Sequence, residues 1–278
     1  LAARAKERGI PVFSYIPPSA WAWRKGRAKS CAALADEIVA IFPHELPPYE
    51  AAGANISFVG NPLIDTVRAE MEPEEARRHF GIEENDVPIL LMPGSRREEI
   101  ERLLPPMLGA AEILQTRDPA RRFFLPVAGG VDEQRIEEHL AASPVEVTLT
   151  HDARYALMKA ARAAIAASGT VVMEAAVMGL PAVVLYRMSA LSYFVGRLLV
   201  DVPRFSLPNI LLGETFETEL LQGAVQPERI AAAMEPIIAD GEARSYVTER
   251  LARAVEMLGE PHAARRVAEK IIALGRRV

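Results

Sequence analysis

Cysteine is nearly missing from this 278-residue chain, and Cys31 stands alone. A disulfide framework is therefore excluded, and no Cys/His grouping has zinc-site spacing. Long apolar runs are missing too. The longest stretch without Asp, Glu, Lys or Arg is 9–23, 15 residues containing three prolines. A membrane-spanning helix needs about 20 mostly apolar residues. There is no excess of positive charge: the formal net charge is −5 and the pI about 5.7. Bulk nucleic-acid binding is thereby disfavoured, because neutralising phosphates takes a basic face. The chain carries no G-x-G-x-x-G and no G-x-x-x-x-G-K-[ST], so nicotinamide-dinucleotide and P-loop readings gain no support. It also has no Asp-x-Asp pair to hold a divalent metal against phosphates. No metal site and no cofactor is expected.

Hydrophobic residues make up 50% of the chain and charged residues 25%, with a mean hydropathy of +0.08. That composition supports a sizeable core and excludes disorder. The balance is that of an ordinary cytosolic protein. The chain opens at Leu1 inside a helical pattern, LAARAKERG, with no signal-peptide regions. A helix that starts without a cap leads us to expect further sequence upstream.

Short apolar runs recur at 12–16, 37–42, 56–60, 89–92, 122–127, 145–149, 163–167 and 182–186. Helical patterns lie between most of them, at 98–115 (interrupted at Pro105-Pro106), 153–162 and 171–178. Such alternation predicts an α/β fold with parallel sheets covered on both faces. Ligands of these sheets bind at the carboxyl ends of strands, where the next helix opens. Asn61-Pro62 followed by the acidic opening MEPEEARRHFG marks a boundary. We expect a first unit at 1–65 with three strands and a second at 66–225 with five. Beyond Gln226-Pro227 the pattern turns wholly helical, at 228–240, 243–258 and 261–276. This last segment, 226–278, is a candidate to cross back to the first unit.

Two loops carry the chemistry. Gly94-Ser95-Arg96 lies between the strand PILLM and the helix EEIERLL. Glycine admits close backbone approach, the helix start presents free N–H groups, and arginine adds a fork of donors. The alternative is an ordinary turn with Ser95 as cap. Ser168-Gly169-Thr170 repeats the pattern between AAIAA and VVMEAAVMG. Glu174 is the only charge between Arg162 and Arg187. One helical turn in, its carboxylate can accept hydrogen bonds from two vicinal ribose hydroxyls, or else cap the first turn. Together the loops suit a nucleoside diphosphate. PPSAWAWRKGR holds both tryptophans beside Arg24, Lys25 and Arg27, which suits an anionic amphiphile, a sugar face, or a packed loop. Asn209, in SLPNIL, is an amide in an apolar loop, placed for a ligand or for a turn.

PSAWAWRKGR, FVGNPLID, LMPGSRREEI, AASGTVVMEAA and FSLPNILLG occur in this order. As a set they strongly resemble the bacterial lipid-A-disaccharide synthase family, over essentially the whole chain. The resemblance implies a GT-B fold of two Rossmann-like domains, the amino-terminal one truncated here. It implies an inverting glycosyltransferase. The enzyme would move 2,3-diacylglucosamine from its UDP derivative to 2,3-diacylglucosamine 1-phosphate, giving a β-1,6 disaccharide 1-phosphate and UDP. It further implies a cytoplasmic enzyme in peripheral contact with the inner membrane, and it leaves a homodimer open. By the same resemblance, Arg96 would bind diphosphate, Ser168, Gly169 and Thr170 would form the phosphate loop, and Gly94 and Ser95 are expected to join them in binding the UDP-sugar. Glu174 would bind ribose, Asn209 would lie near the donor, and Trp23, Arg24, Arg27 and Asn61 would line the cleft. Asn61 stands where the family more often has histidine, which removes proton transfer at that position. The general base is expected upstream of Leu1, since neither Asp65 nor Asp201 substitutes convincingly. Competing readings are a UDP-N-acetylglucosamine 2-epimerase-like enzyme and a catalytically silent UDP-binding fragment. The segment 191–200, LSYFVGRLLV, is a candidate membrane-facing helix, with a buried helix as the alternative.

Overall fold

A computed structural model describes residues 1–20, 26–189 and 203–276. The chain divides into two compact units. Among the described residues, one comprises 1–20, 26–66, 203 and 256–276, the other 67–189 and 204–255. The carboxy-terminal helical segment is thus shared between them at Glu256.

The first unit carries a parallel three-stranded sheet in the order β1 (Phe13–Tyr15), β2 (Glu37–Ala40), β3 (Ile56–Phe58). All of β2 is buried, as expected of a central strand covered on both faces. Its Glu37 is paired with Lys270 at 2.7 Å, on the carboxy-terminal helix Ala263–Gly275. Asp65 accepts from the backbone N–H groups of His262 (2.6 Å) and Ala263 (3.0 Å), the N-cap and the first residue of that helix. Its carboxylate serves as a cap from a distant part of the chain.

The second unit is a parallel six-stranded sheet in the order β6 (Val147–Thr150), β5 (Arg121–Pro126), β4 (Val87–Met92), β7 (Ala163–Ala167), β8 (Ala182–Tyr186), β9 (Glu219–Leu221). The sequence reading had five strands there. The sixth, β9, is three residues long, begins with an acid and has no apolar run to announce it. Its pairing with β8 creates it, Leu185 standing opposite Leu220. The strand order reverses between β4 and β7, which makes their carboxyl ends a topological switch point. The alanine-rich β7 is buried throughout, and its small side chains let helices sit close to the sheet centre.

The helix Arg97–Arg117 is continuous across Pro105 and Pro106, contrary to the interruption expected from the sequence. Proline removes a ladder donor and crowds the preceding turn. Here the helix is held by nine buried residues and by the neighbouring helix Pro227–Ile238. Gly109 makes that approach possible, since a Cβ there would stand 2.8 Å from Pro227 Cγ. Packing therefore overrides the local preference.

Candidate functional site

The loops after β4 and β7 open the helices Arg97–Arg117 and Thr170–Val177. They adjoin because their strands pair, Met92 standing opposite Ala166. A cavity of about 380 Å³ lies over them, lined by Gly94–Arg96, Ser168–Thr170, Glu99, Glu174 and Arg154. A larger cavity of about 630 Å³ opens at the opposite, amino-terminal ends of the strands. Its Arg77, Arg162 and Arg244 are engaged with backbone carbonyls, so it reads as structural.

In the first loop Gly94 has φ +102°, a conformation that favours glycine. A Cβ there would overlap the Glu99 carboxylate. Arg96, not Ser95, is the helix N-cap. Glu99 reaches back: its Oε2 accepts from the N–H groups of Ser95 and Arg96, each at 3.3 Å, and its Oε1 pairs with Arg96 Nη1 at 2.8 Å. Arg96 is otherwise well exposed, with a side chain 82% accessible. An internal carboxylate thus rests on donors that suit an anion.

In the second loop the Ser168 hydroxyl donates to the Phe205 carbonyl at 2.8 Å. Ser168 therefore anchors the loop, and the first-turn N–H groups of Thr170–Val177 are the donors that a helix start leaves over. Glu174 is 9% exposed on an otherwise apolar helix face. Its Oε2 lies 3.2 Å from Arg154 Nη2, an ion pair that leaves this oxygen without a hydrogen bond. Burial works against the Arg154 charge, but the Tyr155 hydroxyl and the Glu174 and Glu70 carboxylates raise its pKa above the usual arginine value. Arg154 follows β6 in the same strand-to-helix position as the other loops. No motif signals it, and sequence reasoning passed over it.

Asn209 is not among the residues lining this cavity. It is fully buried in the helix Leu207–Leu212 with its hydrogen-bonding capacity spent. Nδ2 donates to the Glu217 carbonyl (2.9 Å) and to Glu219 Oε1 (2.7 Å). Oδ1 accepts from the N–H groups of Phe216 and Glu217, both at 3.0 Å. Glu219 also receives the N–H groups of Phe205 and Ser206. This knot supports the residue that anchors Ser168. Burial, with a smaller push from Glu219, raises Glu217 in the knot to about 8.

Asn61 belongs to the first unit and is 1% exposed. Nδ2 donates to the Ile41 carbonyl (2.8 Å), and Oδ1 accepts from Leu63 N–H (2.9 Å). It orients a turn. Arg27 is exposed on the helix Gly26–Leu34 of the same unit. Trp23 and Arg24 lie outside the described residues, as do Asp201 and the segment 191–200. Among the described residues, no group of three or more His, Cys, Asp or Glu is placed to hold a metal ion, and no helix is long and apolar enough to cross a membrane.

Comparison with known proteins supplies the family. A family model described as "Lipid-A-disaccharide synthetase" matches residues 1–272. The lipid-A-disaccharide synthase of Syntrophus aciditrophicus is 44% identical over 275 residues, covering 99% of this chain and 72% of that protein. That of Geobacter metallireducens is 41% identical over 270 residues, covering 97% and 70%. Among solved structures, UDP-GlcNAc 2-epimerase from Neisseria meningitidis bound to UDP-GlcNAc aligns with a TM-score of 0.68 at 16% identity, covering 98% of this chain and 72% of that one. MurG of Acinetobacter baumannii aligns at 0.58 and 16% identity, covering 96% and 68%. At such identity these two show the fold, which is of the GT-B kind, and nothing of the reaction. The match over residues 1–272, with relatives above 40% identity, decides the rest: this chain belongs to the lipid-A-disaccharide synthase family.

Proposed function

We propose that the cavity at the β4/β7 switch point binds the UDP portion of a UDP-linked diacylglucosamine. The reaction is that of the family: transfer of 2,3-diacylglucosamine to 2,3-diacylglucosamine 1-phosphate, giving the β-1,6 disaccharide 1-phosphate and UDP. The observation that carries the reading is the meeting of two strand-to-helix loops over one cavity, with Arg96 and Glu174 on its wall. The diphosphate rests on the helix starts and Arg96, and the ribose hydroxyls donate to Glu174. Charge developing on the departing UDP is met by the same donors. Inversion at the anomeric carbon is a single displacement by the acceptor hydroxyl. Asn209 and Ser168 serve by holding the second loop in place. The substrates carry acyl chains, which supports peripheral contact with the cytoplasmic face of the inner membrane.

Calorimetric titration with UDP in EDTA tests the site. Charge-assisted hydrogen bonds contribute about 1.5–3 kcal/mol, so Arg96→Ala is expected to weaken UDP about ten- to a hundredfold. An unaffected Arg96→Ala variant, or binding abolished by EDTA, would overturn the assignment. Product analysis with UDP-diacylglucosamine and the acceptor tests the reaction, disaccharide formation being the expected outcome.

A further inference from the structure

Arg154 has no role in the reading above, yet it is built into the same wall. Its backbone is fixed on both sides. Ala153 takes a left-handed conformation with φ 44°, and Ala156 N–H donates to Glu70 Oε2 at 3.0 Å. Its guanidinium lies over the Tyr155 ring, 4.6 Å from the centroid, and Nη2 donates to the Tyr155 hydroxyl at 2.5 Å. From that position Nη2 stands 3.2 Å from Glu174 Oε2. Glu174 needs such a partner, because an unpaired carboxylate at 9% exposure on an apolar helix is costly. The pairing is one-sided. It engages only Oε2, which is buried and makes no hydrogen bond, so the acceptor capacity of Oε1 is not exhausted. A bidentate fork would have consumed it.

We propose that Arg154 is a positioning residue of the nucleotide site. It holds the Glu174 carboxylate aimed, so that the vicinal hydroxyls of a ribose can donate to it. This rests on the reading of Glu174 as the ribose ligand. The two ideas separate by comparing UDP with 2′,3′-dideoxy-UDP, which keeps the base and diphosphate and lacks both hydroxyls.

Calorimetry on the 278-residue chain is carried out with both nucleotides, alongside Glu174→Gln, Arg154→Gln and Arg154→Lys. The unsubstituted chain is expected to prefer UDP at least about tenfold, the value of one hydrogen bond to a charged acceptor. Glu174→Gln abolishes that preference. Arg154→Gln also abolishes it, weakening UDP about tenfold and the dideoxy nucleotide less than about twofold. Arg154→Lys keeps the charge without the fork and recovers most of the UDP affinity. Thermal melting without ligand confirms that each variant is folded, and should Arg154→Gln misfold, Arg154→Met, which also lacks the charge, is read by the same ratio. Retained discrimination in Arg154→Gln overturns the proposal and leaves Glu174 as the ribose ligand. Equal weakening of both nucleotides also overturns it and assigns Arg154 to the diphosphate. No preference for UDP in the unsubstituted chain removes the ribose reading, and the proposal with it.

Discussion

Glu217 makes stability depend on pH in a way that can be worked out. The residue is 1% exposed, its Oε2 accepts from the Ser206 hydroxyl at 2.8 Å, and its Oε1 has no hydrogen-bond partner. Burial is the main cause that raises the carboxyl from its ordinary 4.5 to about 8. The folded state therefore keeps a proton that the unfolded chain has released. The contribution of this group is fully present below pH 4.5 and is lost as pH rises to about 8. At 1.36 kcal/mol per unit the whole loss is roughly 5 kcal/mol, comparable to the net stability of many domains. Glu217→Gln stays neutral at every pH and lacks this slope. The stability of the glutamine variant relative to the parent is expected to rise with pH by up to about 1.4 kcal/mol per unit between roughly pH 5.5 and 7.5. Urea unfolding of both proteins across that range, monitored by circular dichroism, measures it. Only the slope is diagnostic, because a buried amide shifts both ends equally. A pH-independent difference would refute the reasoning. The same titration reaches the second loop, because Ser206 adjoins Phe205, whose carbonyl holds Ser168.

Two further substitutions separate the loops from their supports. Gly94→Ala forces a side chain into φ +102° and against Glu99, so it should lower stability by about 1–3 kcal/mol and weaken UDP, as melting and calorimetry will show. Unchanged UDP affinity would separate this loop from the ligand. Asn209→Leu removes four hydrogen bonds at once, three of them buried, and should cost more than about 3 kcal/mol in denaturant unfolding. A variant of near-native stability would show that the knot is not what holds the loop.

Much of the scaffold was legible because strand and helix signals are local. The runs at 163–167 and 182–186 became β7 and β8 with unchanged bounds, since apolar continuity leaves little choice of state or length. The two loops were legible for the same reason, each being a small-residue turn between an apolar strand and a helix. The strand Glu219–Leu221 was not, because three residues carry no period and exist as a strand only beside β8. Nor was the continuity of the helix through Pro105 and Pro106, which depends on a neighbouring helix 110 or more residues further along.

The candidate site divides along the same line. By itself the sequence determined where two small-residue loops open helices after apolar strands and that a single acid, Glu174, stands in an apolar helix beside one of them. Only the tertiary structure decided what those groups touch. It brings Arg154 to Glu174 across 20 positions of chain, folds Glu99 back onto its own helix start, and spends Asn209 on a buried knot. Hydrogen bonds and ion pairs act over about 3 Å, a separation fixed by sheet order and helix packing, whereas local patterning records only whether a residue is buried.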